Sequence, residues 1–198
     1  MPKSHQLIYG IYIIVWIIMA IHPKYPADWL LENILVFLFF PFVIWMDLKY
    51  RFSVAALMMF LIFASLHSLG SHFTYAEMEY FDIITKWLGF ERNHFDRVVH
   101  FLFGLLLFRI FFEIVMQHSK TCRSAMFFTI TIILSIAMLY EIIEWLTAII
   151  LHPELGIAFL GTQGDIWDAQ KDNLAAFLGA MLNLIFYRRY KEISISGY

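Results

Sequence analysis

Three carboxylates stand within the thirteen residues from Gly161 to Asn173, GTQGDIWDAQKDN. On a helix beginning near Asp165, the positions Asp165, Asp168 and Asp172 fall at i, i+3 and i+7 and share one face. The same stripe continues through Ala176, Gly179 and Asn183. Acids running into small residues do not make a lipid-facing surface, because anions avoid hydrocarbon and small residues let helices approach closely. The stripe is expected to face other helices. Elsewhere Asp96 and His100 sit at i, i+4, Glu141 and Glu144 at i, i+3, and His67 and His72 near the end of an apolar run. Carboxylates and imidazoles together are the groups that coordinate a divalent metal or exchange protons near neutral pH.

The elements that must position these groups follow from composition. Of 198 residues, 61% are hydrophobic and 15% charged, well below the roughly one-quarter charged of a soluble domain. Apolar runs recur at lengths that cross a hydrocarbon core about 30 Å thick. The expected fold is all-α: one polytopic membrane domain over 1–198, with spans near 7–21, 29–46, 52–69, 95–116, 125–151 and 165–187. Between the third and fourth spans, 75–93 reads as an interfacial segment, with Phe81, Ile84, Trp87 and Leu88 at amphipathic spacing. The first run follows Lys3 but is not followed by an A-x-A-like cleavage site, so it reads as a retained span. The net charge of -2 and the scattered basic residues exclude nucleic acid as a partner. The single cysteine, Cys122, cannot form an intrachain disulfide.

Lysine and arginine bias sets an orientation. With the N-terminus inside, the cytoplasmic segments carry Lys3, Lys49, Arg51, Lys120, Arg123, Arg188, Arg189 and Lys191, against Lys24, Lys86 and Arg92 on the other side. Six spans then leave both termini cytoplasmic. Taking each span with its direction, His67 and His72, Asp96 with Arg97 and His100, Tyr140 with Glu141 and Glu144, and Asp165 with Asp168 and Asp172 all reach the non-cytoplasmic half of the bilayer. A charge near the bilayer centre costs about 2.5 to 3.5 kcal/mol on insertion scales, so such residues pair, protonate or bind an ion.

Each residue alone has a plainer reading. Asp165 caps a helix, Asp96 and Arg97 form an interface ion pair, His67 is a hydrogen-bonded packing residue, and Tyr140 and Trp145 are packing or belt aromatics. None of these explains the common depth. Six acids (Asp96, Glu141, Glu144, Asp165, Asp168, Asp172) meet Arg97 and Lys171 as permanent bases. The remaining charge is balanced by protonated His67, His72 and His100, by a metal, or by protons on the acids themselves.

The strings LHSLGSHFTY (66–75), NHFDRVVHFLFG (93–104), YEIIEW (140–145) and GDIWDAQKDN (164–173) resemble the YjdF family of uncharacterised bacterial inner-membrane proteins. The resemblance implies a multi-pass inner-membrane location and brings no activity with it. A fold-level likeness to VanZ-like membrane proteins rests on Asp96, Arg97 and His100, then Glu141 or Glu144, then Asp172, Asn173 and Gly179. There the spacing after Asn173 is looser, and Asp165 and Asp168 stand outside the pattern.

Three functions follow as expectations. The first is a metal-dependent intramembrane hydrolase acting on a lipid or other amphiphile. In it zinc, iron or manganese is held by members of the pool His67, His72, Asp96, His100, Asp165, Asp168 and Asp172, and Glu141 or Glu144 acts as general base. The second is a small proton- or cation-coupled transporter using the same groups as a relay. The third is a noncatalytic binding or assembly protein whose polar cluster fixes helix packing. No H-E-x-x-H or G-x-S-x-G motif names a reaction. Nothing in the sequence sets an oligomeric state.

Overall fold

In hydrocarbon every backbone N–H and C=O must be satisfied within its own segment, so apolar runs of this length become helices. The computed structural model describes residues 1–150, 161–186 and 190. Its helices are α1 (Lys3–Ala20), α2 (Pro26–Tyr50), α3 (Val54–Phe73), α4 (Glu79–Trp87), α5 (Phe95–Met116), α6 (Cys122–Ile150) and α7 (Asp168–Leu182). Of these, α1, α2, α3, α5 and α6 are long and apolar enough to cross a membrane. Their outward faces, among them Ile14, Ile17, Leu38, Trp45, Phe127 and Leu139, are exposed and apolar, as lipid contact requires.

The centre of the bundle is α5. It packs most extensively against α7 and next against α3 and α6. The reason lies in the small residues of the predicted stripe. A methyl group at Gly104 would overlap the Ala176 carbonyl, and one at Gly179 would overlap the Phe101 carbonyl. The two helices therefore meet backbone to backbone, as small-residue faces allow. Asn183 closes the contact by donating from Nδ2 to the Leu105 carbonyl at 3.2 Å.

Several boundaries differ from the expected ones, each for a local reason. The second span runs on through the polar break to Tyr50, because Asp47 faces inward, pairing with His5 at 2.9 Å and accepting the Phe52 N–H at 3.0 Å. Arg51 then stops the helix in the left-handed region, at φ 53°. The third helix starts at Val54, capped by Ser53, whose Oγ accepts the Ala56 N–H. It continues past Leu69 to Phe73, with Ser68 and Ser71 bonding back to main-chain carbonyls at Ala64 and Ser68 and Gly70 leaving room for the Tyr75 ring.

The last helix begins at Asp168, after a turn with positive φ at Gly161, Gln163 and Gly164, and tightens to a 3-10 turn over Asn183–Phe186. The expected ends of the fifth and sixth spans, at 151 and 187, and the basic residues Arg188, Arg189 and Lys191 lie outside the described residues.

The expected interfacial segment is a 3-10 turn, Tyr75–Glu77, followed by α4. Tyr75 and Met78 are buried against Phe95 and Val99. Tyr80, Ile83 and Trp87 stand exposed, Trp87 at 83%. The short helix turns these residues outward, while Phe81, on the expected amphipathic face, packs against the Tyr75 cluster.

Candidate functional site

One end of the bundle is where α1, α3 and α6 finish and α2, α5 and α7 begin. Two polar groupings meet there. The first joins α7 to the loop before α5. Asp168, first residue of α7 and buried, accepts on Oδ1 from Arg92 Nη1 at 2.6 Å and from Arg97 Nη2 at 2.7 Å. One turn later Asp172 accepts from Arg97 Nε at 3.1 Å. Asp165, in the turn before α7, accepts Lys171 Nζ at 2.6 Å and the Trp167 N–H at 3.1 Å, with Arg97 and Arg92 at 3.4 and 3.5 Å. The Lys171 ammonium, then the Trp167 N–H, hold the Asp165 carboxyl down to about 2. Burial and the two guanidiniums push the His94 imidazole below its usual range, so His94 stays neutral beside Arg97. Asn93 and Gln163 complete the join with reciprocal 2.9 Å bonds between side-chain amide and main chain.

The second grouping lies between α2, α3, α5 and α6. His100 Nε2 stands 3.7 Å from Asp96 Oδ1 and 3.6 Å from Glu141 Oε1, and its ring meets that of Tyr140 edge-on. Tyr140 donates its phenol O–H to Glu32 Oε2 at 3.0 Å. Glu144 is buried beside Glu141 and Tyr140. On α3, His67 Nδ1 lies 2.6 Å from the Tyr75 phenol oxygen. Its Nε2 is buried without a hydrogen-bond partner, close to the α2 main chain at Glu32.

These groups form the polar end of a cavity of about 260 Å³. His67, Tyr75, Asp96, His100 and Tyr140 line that end; the remainder is apolar, walled by Phe60, Phe63 and Phe103 on α3 and α5. The α2 and α6 walls barely touch each other. Their rim residues Phe39, Phe42, Leu139 and Ile143 are exposed, so the cavity opens sideways through an apolar rim.

Most residues expected at the site converge. Asp96, Asp168 and Asp172 bring one oxygen each within 4.8 Å of one another, which makes them, among the described residues, the set that could hold a metal; Arg97 already occupies two of the three. His100, Glu141 and Glu144 lie on the other side of Asp96, and His67 faces them across the cavity. His72 does not join: its Nδ1 meets the Met19 carbonyl at 2.8 Å. With α3 helical through Phe73, His72 is five residues beyond His67 and so rotated about 140° from it around the helix. Two charged participants, Glu32 and Arg92, lie outside the set expected from sequence. Glu32 was legible as a lone acid in an apolar run. Arg92 carries no such signal, since a loop cation gives no periodicity.

The opposite end of the bundle holds its own buried pairs. Besides His5 with Asp47, Glu113 accepts from Ser53 and from Arg109. Each acid there among the described residues has a close partner.

The architecture defines a polytopic, all-helical membrane protein with ionisable groups gathered at one end of its bundle. Residues 4–192 match the family model described as "Predicted membrane protein (DUF2238)". The chain is also similar to the inner membrane protein YjdF of Escherichia coli (strain K12), at 34% identity over 144 residues, covering 71% of this chain and 68% of that one. It belongs to the YjdF family. No solved structure matches it.

Proposed function

We propose that this protein admits a lipid-like amphiphile sideways from the bilayer and acts on its polar end by proton transfer, in a hydrolytic reaction. The observation that supports this most directly is one continuous cavity, apolar and open between α2 and α6, ending at His100 and Asp96. Hydrocarbon chains partition into such a wall without cost, while the polar end offers ionisable groups within reach of a reacting atom. His100, between Asp96 and Glu141, takes a proton from water or hydroxyl; Glu141 and Glu144 are the acids that receive or return it.

A crosslinking experiment tests the reading. A photoreactive residue replacing Leu139 at the rim should capture a distinct amphiphile, whereas one replacing Leu7, on an exposed face of α1, should capture bulk phospholipid. The same phospholipids from both positions would sink it.

The metal-dependent form of this reaction rests on Asp96, Asp168 and Asp172, whose oxygens lie within 4.8 Å of one another. It requires Arg97 to give up Asp168 or Asp172. Elemental analysis of protein purified without chelator tests it: a stoichiometric zinc, iron or manganese supports the metal form, and its absence leaves metal-free proton transfer.

The same proposal carries a topology. We place α7 with its 3-10 extension as a sixth span, since 15 helical residues and four 3-10 residues reach about 30 Å at 1.5 and 2.0 Å per residue. Both termini then face the cytoplasm and the site faces the other side of an inner membrane like that of the relative. Reporter fusions at Cys122 read this out; a non-cytoplasmic signal there inverts the map.

A further inference from the structure

Resting on the reading of the cavity as an amphiphile site, we infer that the polar head it takes is a protonated amine, without a phosphate. The argument is one of charge complementarity at the cavity's closed end. The permanent cations beside the aspartates, Arg92, Arg97 and Lys171, are matched by Asp165, Asp168 and Asp172 within ion-pair distance, and Lys24 pairs with Glu77 and Glu79. Among the described residues no lysine or arginine lines the cavity.

Acids border its polar end on one side. Asp96 reaches the cavity directly. His100 is backed by Asp96 and Glu141, Tyr140 by Glu32, and Glu144 lies beside Tyr140 and Glu141. An incoming phosphate would meet this field with like charge and find no guanidinium or ammonium among the described lining residues to pair with it. A protonated amine brings up to three donors and one positive charge. Carboxylate Asp96 and the imidazole of His100 are acceptors for it. The alkyl chain then lies along the phenylalanine-rich wall toward the gap between α2 and α6.

This chemistry could come from a free long-chain amine or from a lipid whose head ends in an amine. The test uses the full chain in nanodiscs of phosphatidylcholine and three probes of one chain length: dodecylamine, dodecanol and dodecyl phosphate. Binding is read by displacement of a fluorescent alkylamine. The amine should bind at least about tenfold more tightly than the other two, the size of one charge-assisted contact. Asp96→Asn and, separately, Glu141→Gln should cut amine affinity by about tenfold and leave dodecanol unchanged; either variant suffices if the other fails to fold.

Dodecyl phosphate or dodecanol binding as tightly as the amine overturns the inference and leaves the amphiphile site standing. No displacement by any probe overturns both. Adding phosphatidylethanolamine to the discs separates the sources: competition with dodecylamine assigns an aminolipid, and no competition assigns a free amine.

Discussion

The two polar groupings at the site end share Asp96 as a neighbour and differ in how their charge is met. In the α5–α7 grouping, Asp165, Asp168 and Asp172 face Arg92, Arg97 and Lys171, and every one of these acids has a cation within 3.1 Å. In the α2–α6 grouping, Glu32, Asp96, Glu141 and Glu144 have no lysine or arginine as hydrogen-bond partner among the described residues; His100 stands beyond 3.5 Å from Asp96 and Glu141, and the Tyr140 phenol donates to Glu32. Matched charge in a low-dielectric setting is a means of holding segments together. Unmatched acid beside a cavity holds nothing together and costs stability, which is the pattern of a site kept for binding or proton transfer. The grouping rich in aspartate is the clamp, and the one with fewer obvious motifs is the better candidate for chemistry.

The sharpest way to break this contrast is to remove the shared cation of the clamp. Arg97→Gln leaves Asp168 and Asp172 buried with one guanidinium between them. Breaking a buried pair by removing one partner costs about 3 to 5 kcal/mol, so the variant should lose most of its folded yield in fluorescence-detected size exclusion. Glu141→Gln removes an acid without a permanent partner and should leave the melting temperature unchanged or raised. Equal losses in the two variants would erase the distinction. Arg97→Lys falls between. The ammonium keeps the charge but cannot donate to Asp168 and Asp172 at once as the planar fork does. A loss of about 1 to 2 kcal/mol is expected, one to two charge-assisted bonds weakened, measured by thermal unfolding in the same detergent.

Sequence made the clamp's α7 side readable and left its other side dark. The stripe from Asp168 through Asp172, Ala176 and Gly179 to Asn183 is buried as its 3.6-residue period requires, because periodicity on one helix reports which face turns inward. It does not report which loop folds back onto that face, so Arg92 was weighed as a topology marker and not as a partner. The same limit applied to Glu32, whose meaning depends on Tyr140, 108 residues away. The expectation of common depth, by contrast, came from counting spans and directions, and it gathered His67, Asp96, His100, Glu141 and Glu144 without any motif. His72 shows where depth alone fails. It sits near the right level but on the face of α3 turned to α1, because the helix extends four residues past its expected end.

The remaining predictions probe the clamp's exposed edge, where effects are smaller. Asp165 has a folded value of about 2 against an ordinary 3.8. A depressed carboxylate stabilises the fold above the unfolded value and loses that contribution as pH falls through the folded one. The stability advantage of the native chain over Asp165→Asn should therefore be full above about pH 4 and gone by about pH 2, followed by unfolding at stepped pH. An advantage that persists unchanged to the acid limit would remove Asp165 from the charge balance.

Lys171→Ala should have the smallest effect. Its side chain is 47% exposed, and an exposed ion pair contributes about 0.2 to 1 kcal/mol, screened by salt. Asp165 also keeps the Trp167 N–H and the more distant guanidiniums. The expected loss is at most about 1 kcal/mol and shrinks between low and high salt, whereas the loss in Arg97→Gln, inside the clamp, should change little over the same range. If Lys171→Ala instead proved as costly as Arg97→Gln, the clamp would be balanced at its rim, and Arg97 would be released to face the acids around His100.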